Sequence, residues 1–305
     1  MSAFTLIVVA GATASGKTAA AIDLAGRLGC EIISADSRQI YRDIPITTAQ
    51  PPAAELAAVT HHFVGIRPLD AYYSASQYEA DVLSLIGRMN DAGQTCAVMA
   101  GGSMMYIDAV VRGLDDLPSI SDDVRAEVLR LYETRGLDHI RAELARLDPE
   151  YLAQADPMNH RRLIHALEII IQSGRKFSSL RTGAVRQRPF SGVKLAIDMP
   201  RDQLFSRINR RVESMIDAGM EREARAVSHL RHLNSLNTVG FKEMFAAIDG
   251  QMTIPEAIAR IQKNTRVYAK KQLTWLRRDP GVTWLPEATF SADAATILQE
   301  RLPSL

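Results

Sequence analysis

A layered α/β fold, with a parallel sheet wrapped by helices and interrupted by an all-helical insertion, is the class this 305-residue sequence predicts. Three observations carry it. Short β-rich runs alternate with helical patterns over roughly the first hundred residues, as in successive βαβ units. A glycine-rich loop joins the first such run to a helix. The strand signal then disappears from about 114 to 188 and returns with the run VKLAID at 193–198.

In chain order, residues 6–10 (LIVVA) are apolar without alternation, the pattern of a strand buried on both faces. A helix over 17–28 follows the glycine loop, and EIISAD at 31–36 reads as the second strand. A helix at 75–92 and a strand at 95–100 complete the first block, and right-handed crossovers are expected between parallel strands. The segments 121–134, 137–147 and 160–173 have helical periodicity, broken at Asp148-Pro149 and Asp156-Pro157. The division is therefore a core of 1–114 with 191–305, and a helical insertion of 115–190.

Composition narrows the function. Hydrophobic residues make up 47% and charged residues 23%, the balance of a chain with a proper core. No stretch approaches 18 uninterrupted apolar residues, which excludes a transmembrane helix. No basic residue precedes the first apolar run, so a secretory leader is not expected. Cys30 and Cys96 form neither a CxxC nor a metal cluster and read as small buried residues of a protein in the reducing cytoplasm. The net charge is only +1, but its distribution is uneven. Residues 115–156 carry 11 acidic and 5 basic side chains, whereas 160–190 carry 7 Arg/Lys against Glu168 alone. Residues 258–278 carry 7 Arg/Lys and no acid, and two such blocks point to a polyanionic partner.

The motif that carries chemistry is Gly11-Ala12-Thr13-Ala14-Ser15-Gly16-Lys17-Thr18, which fits G-x-x-x-x-G-K-[ST] between a strand and a helix. In such a loop the backbone N–H groups converge on phosphate oxygens at a helix N-terminus. Lys17 adds a point charge, and the Thr18 hydroxyl is a candidate ligand for Mg2+. The motif predicts a P-loop NTPase-like core and a nucleotide- or diphosphate-binding site, but not which phosphate compound occupies it. Asp198 has the type and strand-end position of a second metal carboxylate, yet reads better as a simple strand end. Asp36 closes the second strand and is followed by Ser37-Arg38-Gln39, beside the loop if the sheet is doubly wound. It is either a general base or a turn-capping residue.

Beyond these single motifs, the chain resembles the tRNA dimethylallyltransferases in ordered blocks spanning nearly its whole length. They are GATASGKT (11–18), ISADSRQIYRDIPITTAQP (33–51), THHFVGIRPLDAYYSASQY (60–78), MAGGSMMYIDAVVRGL (99–114), RRLIHALEIIIQSG (161–174), DMPRDQLFSRINRRVESMIDAGM (198–220), NTVGFKEM (237–244) and RVYAKKQLTWLRR (266–278). In Gly101-Gly102-Ser103-Met104-Met105-Tyr106 many members have Thr-Gly-Leu or similar before the Tyr, a departure expected to tune the prenyl channel. The zinc finger of eukaryotic members is absent, which matches the bacterial type.

The resemblance implies a monomeric, cytoplasmic enzyme that transfers a dimethylallyl group from dimethylallyl diphosphate to N6 of adenosine 37 in the tRNA anticodon loop, releasing pyrophosphate. Residues 11–18 would hold the diphosphate in place of ATP, with Thr18 at Mg2+ and Arg207 and Arg211, four apart on one helix face, adding charge. Asp36, with Thr18 and Arg207, would be catalytic, Asp36 taking the proton from N6. The adenine would have to leave its stack. Asp36, Ser37, Arg38, Gln39, Ser103, Asn237, Gly240 and Lys242 would meet the RNA. So would Arg125, Arg161, Arg162, Leu163, Ile164 and His165 of the insertion. Lys270, Lys271, Arg277 and Arg278 are read as facing phosphate, with Trp275 and Leu276 in the core. His61-His62 looks like a metal pair but is read as structural, since adjacent side chains point apart. Two rivals are an isopentenyltransferase acting on free adenine mononucleotides and a non-catalytic RNA-binding switch.

Overall fold

The computed structural model describes residues 4–301; residues 1–3, where the segment read above for a leader begins, lie outside them. One sheet of six strands holds β1 Phe4–Ala10, β2 Ile32–Ser34, β3 His61–His62, β4 Cys96–Ala100, β5 Phe190–Asp198 and β6 Val282–Pro286 in the order β3-β2-β4-β1-β5-β6. Every neighbouring pair is parallel. All positions of β1 are buried. Side-chain alternation sends Leu6, Val8 and Ala10 into one hydrophobic cluster and Ile7 and Val9 into another, so helices cover both faces.

This topology creates the site. The chain leaves β1 for β2 on one side of the sheet and leaves β4 for β5 on the other. The C-terminal ends of these paired neighbours, Val9 against Ala100, therefore border a crevice. The helix Lys17–Leu28 follows β1 through the glycine loop, and the helices Arg201–Asp217 and Ile254–Leu276 belong to the same compact unit.

Two strands have no counterpart in the sequence reading. β3 is only two residues long, and β6 follows Asp279-Pro280-Gly281 at the sheet's far edge, where pairing with β5 makes it a strand. The second strand is also shorter than expected. It stops at Ser34 because the chain turns at Asp36, whose Oδ1 accepts from the N–H groups of Arg38 (2.9 Å) and Gln39 (3.3 Å).

The chain divides into two compact units, one running to Val111 and resuming at Arg188, the other Arg112–Gln187. The second unit has its own core, with Val128, Ile140, Leu144, Leu163 and Leu167 fully or almost fully buried. Its long helix Asp122–Leu147 is interrupted at Gly136, whose φ of 75° only glycine adopts readily. Buried Asp148 caps the next helix, Pro149–Gln154, by accepting from Tyr151 N (3.1 Å), and it also accepts from Ser178 N and Oγ (2.7 Å each). Cys30 and Cys96 are both buried thiols. Among the described residues no helix is long and apolar enough to cross a membrane.

Candidate active site

The glycine loop builds a cradle from backbone strain that its sequence permits. Gly16 (φ 95°) takes the left-handed conformation without cost, and Ala14 (φ 64°) takes it against the usual preference. A Cβ on Gly11 would lie 2.7 Å from Ser15 Oγ. That hydroxyl is buried with no hydrogen-bond partner among the described residues, an orphan that suits a loop shaped around an anion. Lys17 Nζ donates to Ala12 O at 2.7 Å, folding back over the loop.

The cradle opens into a narrow cleft with about 80 Å³ of accessible space. Thr13, Lys17, Thr18, Asp36, Gln39, Gly101, Gly102, Arg211, Tyr268 and Gln272 line it. Asp36 has one oxygen committed to its turn, and Oδ2 is bonded to nothing among the described residues. Asp36 is thus both a turn-capping residue and a carboxylate facing the phosphate loop, so the two alternatives left open by the sequence are compatible.

The cleft gathers two basic side chains, Lys17 and Arg211, and one carboxylate, Asp36. Burial, then the nearby Arg211 guanidinium, bring the Lys17 ammonium down to about 7, with Asp36 pulling the other way. Burial likewise lowers Arg211, against the attraction of Asp36 and Glu55. Two desolvated basic groups beside the anion cradle are poised to gain from a polyphosphate. Arg207, one turn before Arg211, points to the loop as well, and its Nη1 bonds Glu287 Oε1 at 3.0 Å.

The remaining expected residues sort by environment. Ser103 Oγ accepts from Ser37 N (2.8 Å) and bonds Ser37 Oγ (3.1 Å), so both stand beside Asp36. Arg38 is tied to the carbonyls of Asn234 (2.7 Å) and Ser235 (3.1 Å), and Gln39 to those of Thr48 (3.3 Å) and Ala49 (2.8 Å). These two side chains stabilise the cleft wall as well as lining or bordering it. Asn237 is half-buried and Lys242 exposed, but Gly240 is buried, with φ 102°, and a Cβ there would lie 2.6 Å from both Met220 Cε and Thr47 Cγ2. Gly240 shapes the turn and offers no surface to an RNA.

In the insertion, Arg161, Arg162 and His165 are exposed, and Arg125 is half-buried. Leu163 is a correction: at 0% exposure it lies in the unit's core and has nothing to present to an RNA, and Ile164 packs against the same core. Met104 and Met105 open the helix Met104–Val111 outside the cleft lining, and Met105 is 61% exposed. Lys270, Lys271, Arg277 and Arg278 are exposed, while Leu276 is buried and Trp275 packs on the core with Nε1 donating to Asp108 Oδ2 (3.0 Å). Asp198 ends β5 and does not line the cleft. His62 bonds Glu31 Oε2 (2.5 Å), and His61 bonds Val59 O (2.8 Å) while also lining the cleft.

Sequence reasoning missed Gln272, Tyr268 and Glu287. A signal existed for Gln272: it falls on the buried stripe Ala269, Gln272, Leu276 of an amphipathic helix, where a polar residue needs dedicated partners.

Comparison with known proteins places this geometry in context. The family model described as IPP transferase matches residues 39–279, a span that begins beyond the phosphate loop and so is independent of it. The chain is 46% identical over 301 residues to tRNA dimethylallyltransferase 1 of Phocaeicola vulgatus, covering 99% of this chain and 98% of that one. It is 49% identical over 295 residues to tRNA dimethylallyltransferase 2 of Porphyromonas gingivalis, covering 96% and 97%. Among solved structures, the full-length tRNA isopentenylpyrophosphate transferase of Bacillus halodurans superposes with a TM-score of 0.72 at 32% identity, covering 98% and 97% of the two chains. A eukaryotic dimethylallyltransferase acting on tRNA, 24% identical, shares the fold with a TM-score of 0.82 over 99% of this chain and 80% of that one.

Proposed function

The chain belongs to the IPP transferase family, and from that premise we infer that it is a tRNA dimethylallyltransferase, moving the prenyl group of dimethylallyl diphosphate to N6 of adenosine 37 in the anticodon loop. The observation that carries the reading is the meeting of the glycine loop, Lys17 and Arg211 with Asp36 in one cleft. One wall is made to hold a diphosphate and the facing carboxylate to take a proton.

In this reading the loop amides, Lys17 and Arg211 bind the diphosphate, and Arg207 adds charge beside Gly16. Transfer breaks the bond from C1 to the bridging oxygen and forms C1–N6. The bond electrons leave on pyrophosphate, where the preorganised cations and amides stabilise them. An exocyclic aryl amine is a poor nucleophile, so removal of its proton by Asp36 Oδ2 completes the step. Among the described residues no cluster of three or more His, Cys, Asp or Glu could hold a metal alone. That suits a cation held by the Thr18 hydroxyl, substrate oxygens and water. Mg2+ accepts such a set and, when bound, supplies further charge neutralisation at the leaving group.

The acceptor side is read from charge. Ser37 and Ser103 border Asp36, and the exposed Arg161 and Arg162 with the basic stripe of 258–278 are suited to an RNA backbone. A free mononucleotide would need neither basic surface, and an RNA-binding switch would need no Asp36. The deciding experiment incubates the protein with Mg2+, dimethylallyl diphosphate and either an unmodified A37-containing tRNA or AMP. A prenyl mass addition on the tRNA alone is expected. Product on AMP alone would move the chain to the mononucleotide branch, and no product on either would reopen the identity of the loop's ligand.

A further inference from the structure

We propose that Gln272 is a positioning residue that couples the diphosphate loop to the acceptor side of the cleft, so that occupancy of one is felt at the other. The inference rests on the functional reading above but concerns a side chain that reading does not use.

Gln272 is 2% exposed, and both ends of its amide are bonded to backbone. Its Oε1 accepts from Thr13 N at 2.8 Å, inside the phosphate cradle, and its Nε2 donates to Gly102 O at 2.9 Å, just after β4. The orientation of the amide follows from the partners, since Thr13 N can only donate and Gly102 O can only accept. Among the twenty side chains few offer an acceptor and a donor at this spacing. Glutamate matches the shape but cannot donate to Gly102 when ionised.

The second link runs from Gly102 to Asp36. The Gly101-Gly102 turn is wedged between the Ala35 backbone and the Gln272 side chain: a Cβ on Gly101 would lie 2.2 Å from Ala35 O, and one on Gly102 would lie 2.3 Å from Gln272 Nε2. Ser103 N donates to Ala35 O at 3.0 Å, and Ser103 Oγ receives Ser37 N at 2.8 Å. Thr13, Gln272, Gly102, Ser103 and Ser37 thus form an unbroken series of hydrogen bonds and adjacent residues from the diphosphate cradle to the residue after Asp36. Tyr268, one turn earlier on the same helix, places its hydroxyl 3.3 Å from the same Gly102 carbonyl and steadies the joint. A diphosphate oxygen that competes for Thr13 N–H must shift or re-aim the Gln272 amide. The shift is passed to a turn with no free volume to absorb it.

The test is a binding cycle on the full chain. Pyrophosphate affinity is measured with and without an unmodified anticodon stem-loop RNA, and RNA affinity with and without pyrophosphate, for the wild type, Gln272→Glu and Gln272→Met. Transfer rates are measured alongside. The wild type is expected to show at least about 5-fold mutual coupling, the lower end of typical site-to-site effects. Both variants should bring that factor to about one and lower kcat more than either KM. A residue that merely held the fold would weaken both affinities and leave their mutual factor unchanged. Gln272→Glu is the safeguard should the apolar variant unfold: it keeps the acceptor for Thr13 and loses the donor to Gly102, and the charge it adds weakens pyrophosphate binding with and without RNA, so the mutual factor still reads the coupling. An undiminished factor in a folded variant overturns the proposal, as does a wild type that transfers prenyl but shows no coupling. A wild type that makes no prenylated RNA overturns the functional reading itself, and this inference with it.

Discussion

Arg207 Nη1 lies 3.0 Å from Glu287 Oε1 directly over the phosphate loop, where a side chain on Gly16 would meet the carboxylate at 3.6 Å and the guanidinium at 3.7 Å. An acidic residue from the segment after β6 therefore stands beside an anion cradle, paired with one of the cations proposed to serve the diphosphate. Both side chains are about a third exposed, so the pair itself is worth only ~0.2–1 kcal/mol.

From this follows an outcome for Glu287→Gln. With the competing carboxylate neutralised, pyrophosphate should bind about two- to five-fold more tightly by titration calorimetry, the same energy read as affinity. The melting temperature should move by no more than about 3 °C. Weaker binding would show instead that Glu287 aims Arg207 and that the pair is part of the cradle.

Asp36 allows its two roles to be separated. Asp36→Asn keeps an oxygen for Arg38 N and Gln39 N but removes the base, whereas Asp36→Ala removes both. Transfer should fall by about 10²–10⁴-fold in each, the usual contribution of a general base. RNA affinity should stay close to wild type in Asp36→Asn. Wild-type turnover by Asp36→Asn would remove this residue from proton transfer.

How far the sequence speaks for this site depends on distance along the chain. The cradle was legible because its eight residues are contiguous and the chemistry demands glycines, a lysine and a hydroxyl in fixed order. Asp36 was legible as a candidate because it lies near the end of the next strand, in the position where parallel sheets open their crevice. Gln272 and Glu287 were not, because they come from the helix Ile254–Leu276 and the turn after β6, and only folding brings them to residues 13 and 207. β3 and β6 were missed for the same reason: a two-residue strand and an edge strand are defined by their partners more than by their own pattern. Leu163 follows exposed Arg161 and Arg162 in one sequence block yet lies in the core, because adjacent residues of a helix take different faces.

The insertion offers a contrast between neighbours. Arg161 and Arg162 are exposed, so changing both to Ala should weaken tRNA binding and reduce the slope of log affinity against log salt by about 1.5, the value for two lost phosphate contacts. Pyrophosphate affinity should not change. Leu163→Ala, one position on, should leave the slope alone and cost ~2–5 kcal/mol of the unit's stability, because it empties a fully buried site. An unchanged slope in the double Arg variant would exclude this helix face from RNA contact.

Lys17 makes the site's charge measurable through pH. Its ammonium is brought down to about 7 in the folded protein, mainly by burial and next by Arg211, against 10.5 in an unfolded chain. Between those values the unfolded chain holds the extra proton, so stability rises with pH across this window, and the cost of burying Lys17 is fully present below about pH 7. Lys17→Met has no proton to lose. Its stability relative to wild type should therefore be most favourable at pH 6 and should decline steadily towards pH 10, as read from urea midpoints. The same proton governs the ligand. An anion in the cradle favours the charged amine, so at pH 8.5 the wild type should take up more protons on binding pyrophosphate than Lys17→Met does. Calorimetry in buffers of different ionisation enthalpy reads that difference directly. At pH 6, where Lys17 is charged before the ligand arrives, the difference should vanish. Equal uptake by the two proteins at pH 8.5 would mean that Lys17 is already charged in the empty cleft, and that burial there is weaker than its surroundings indicate.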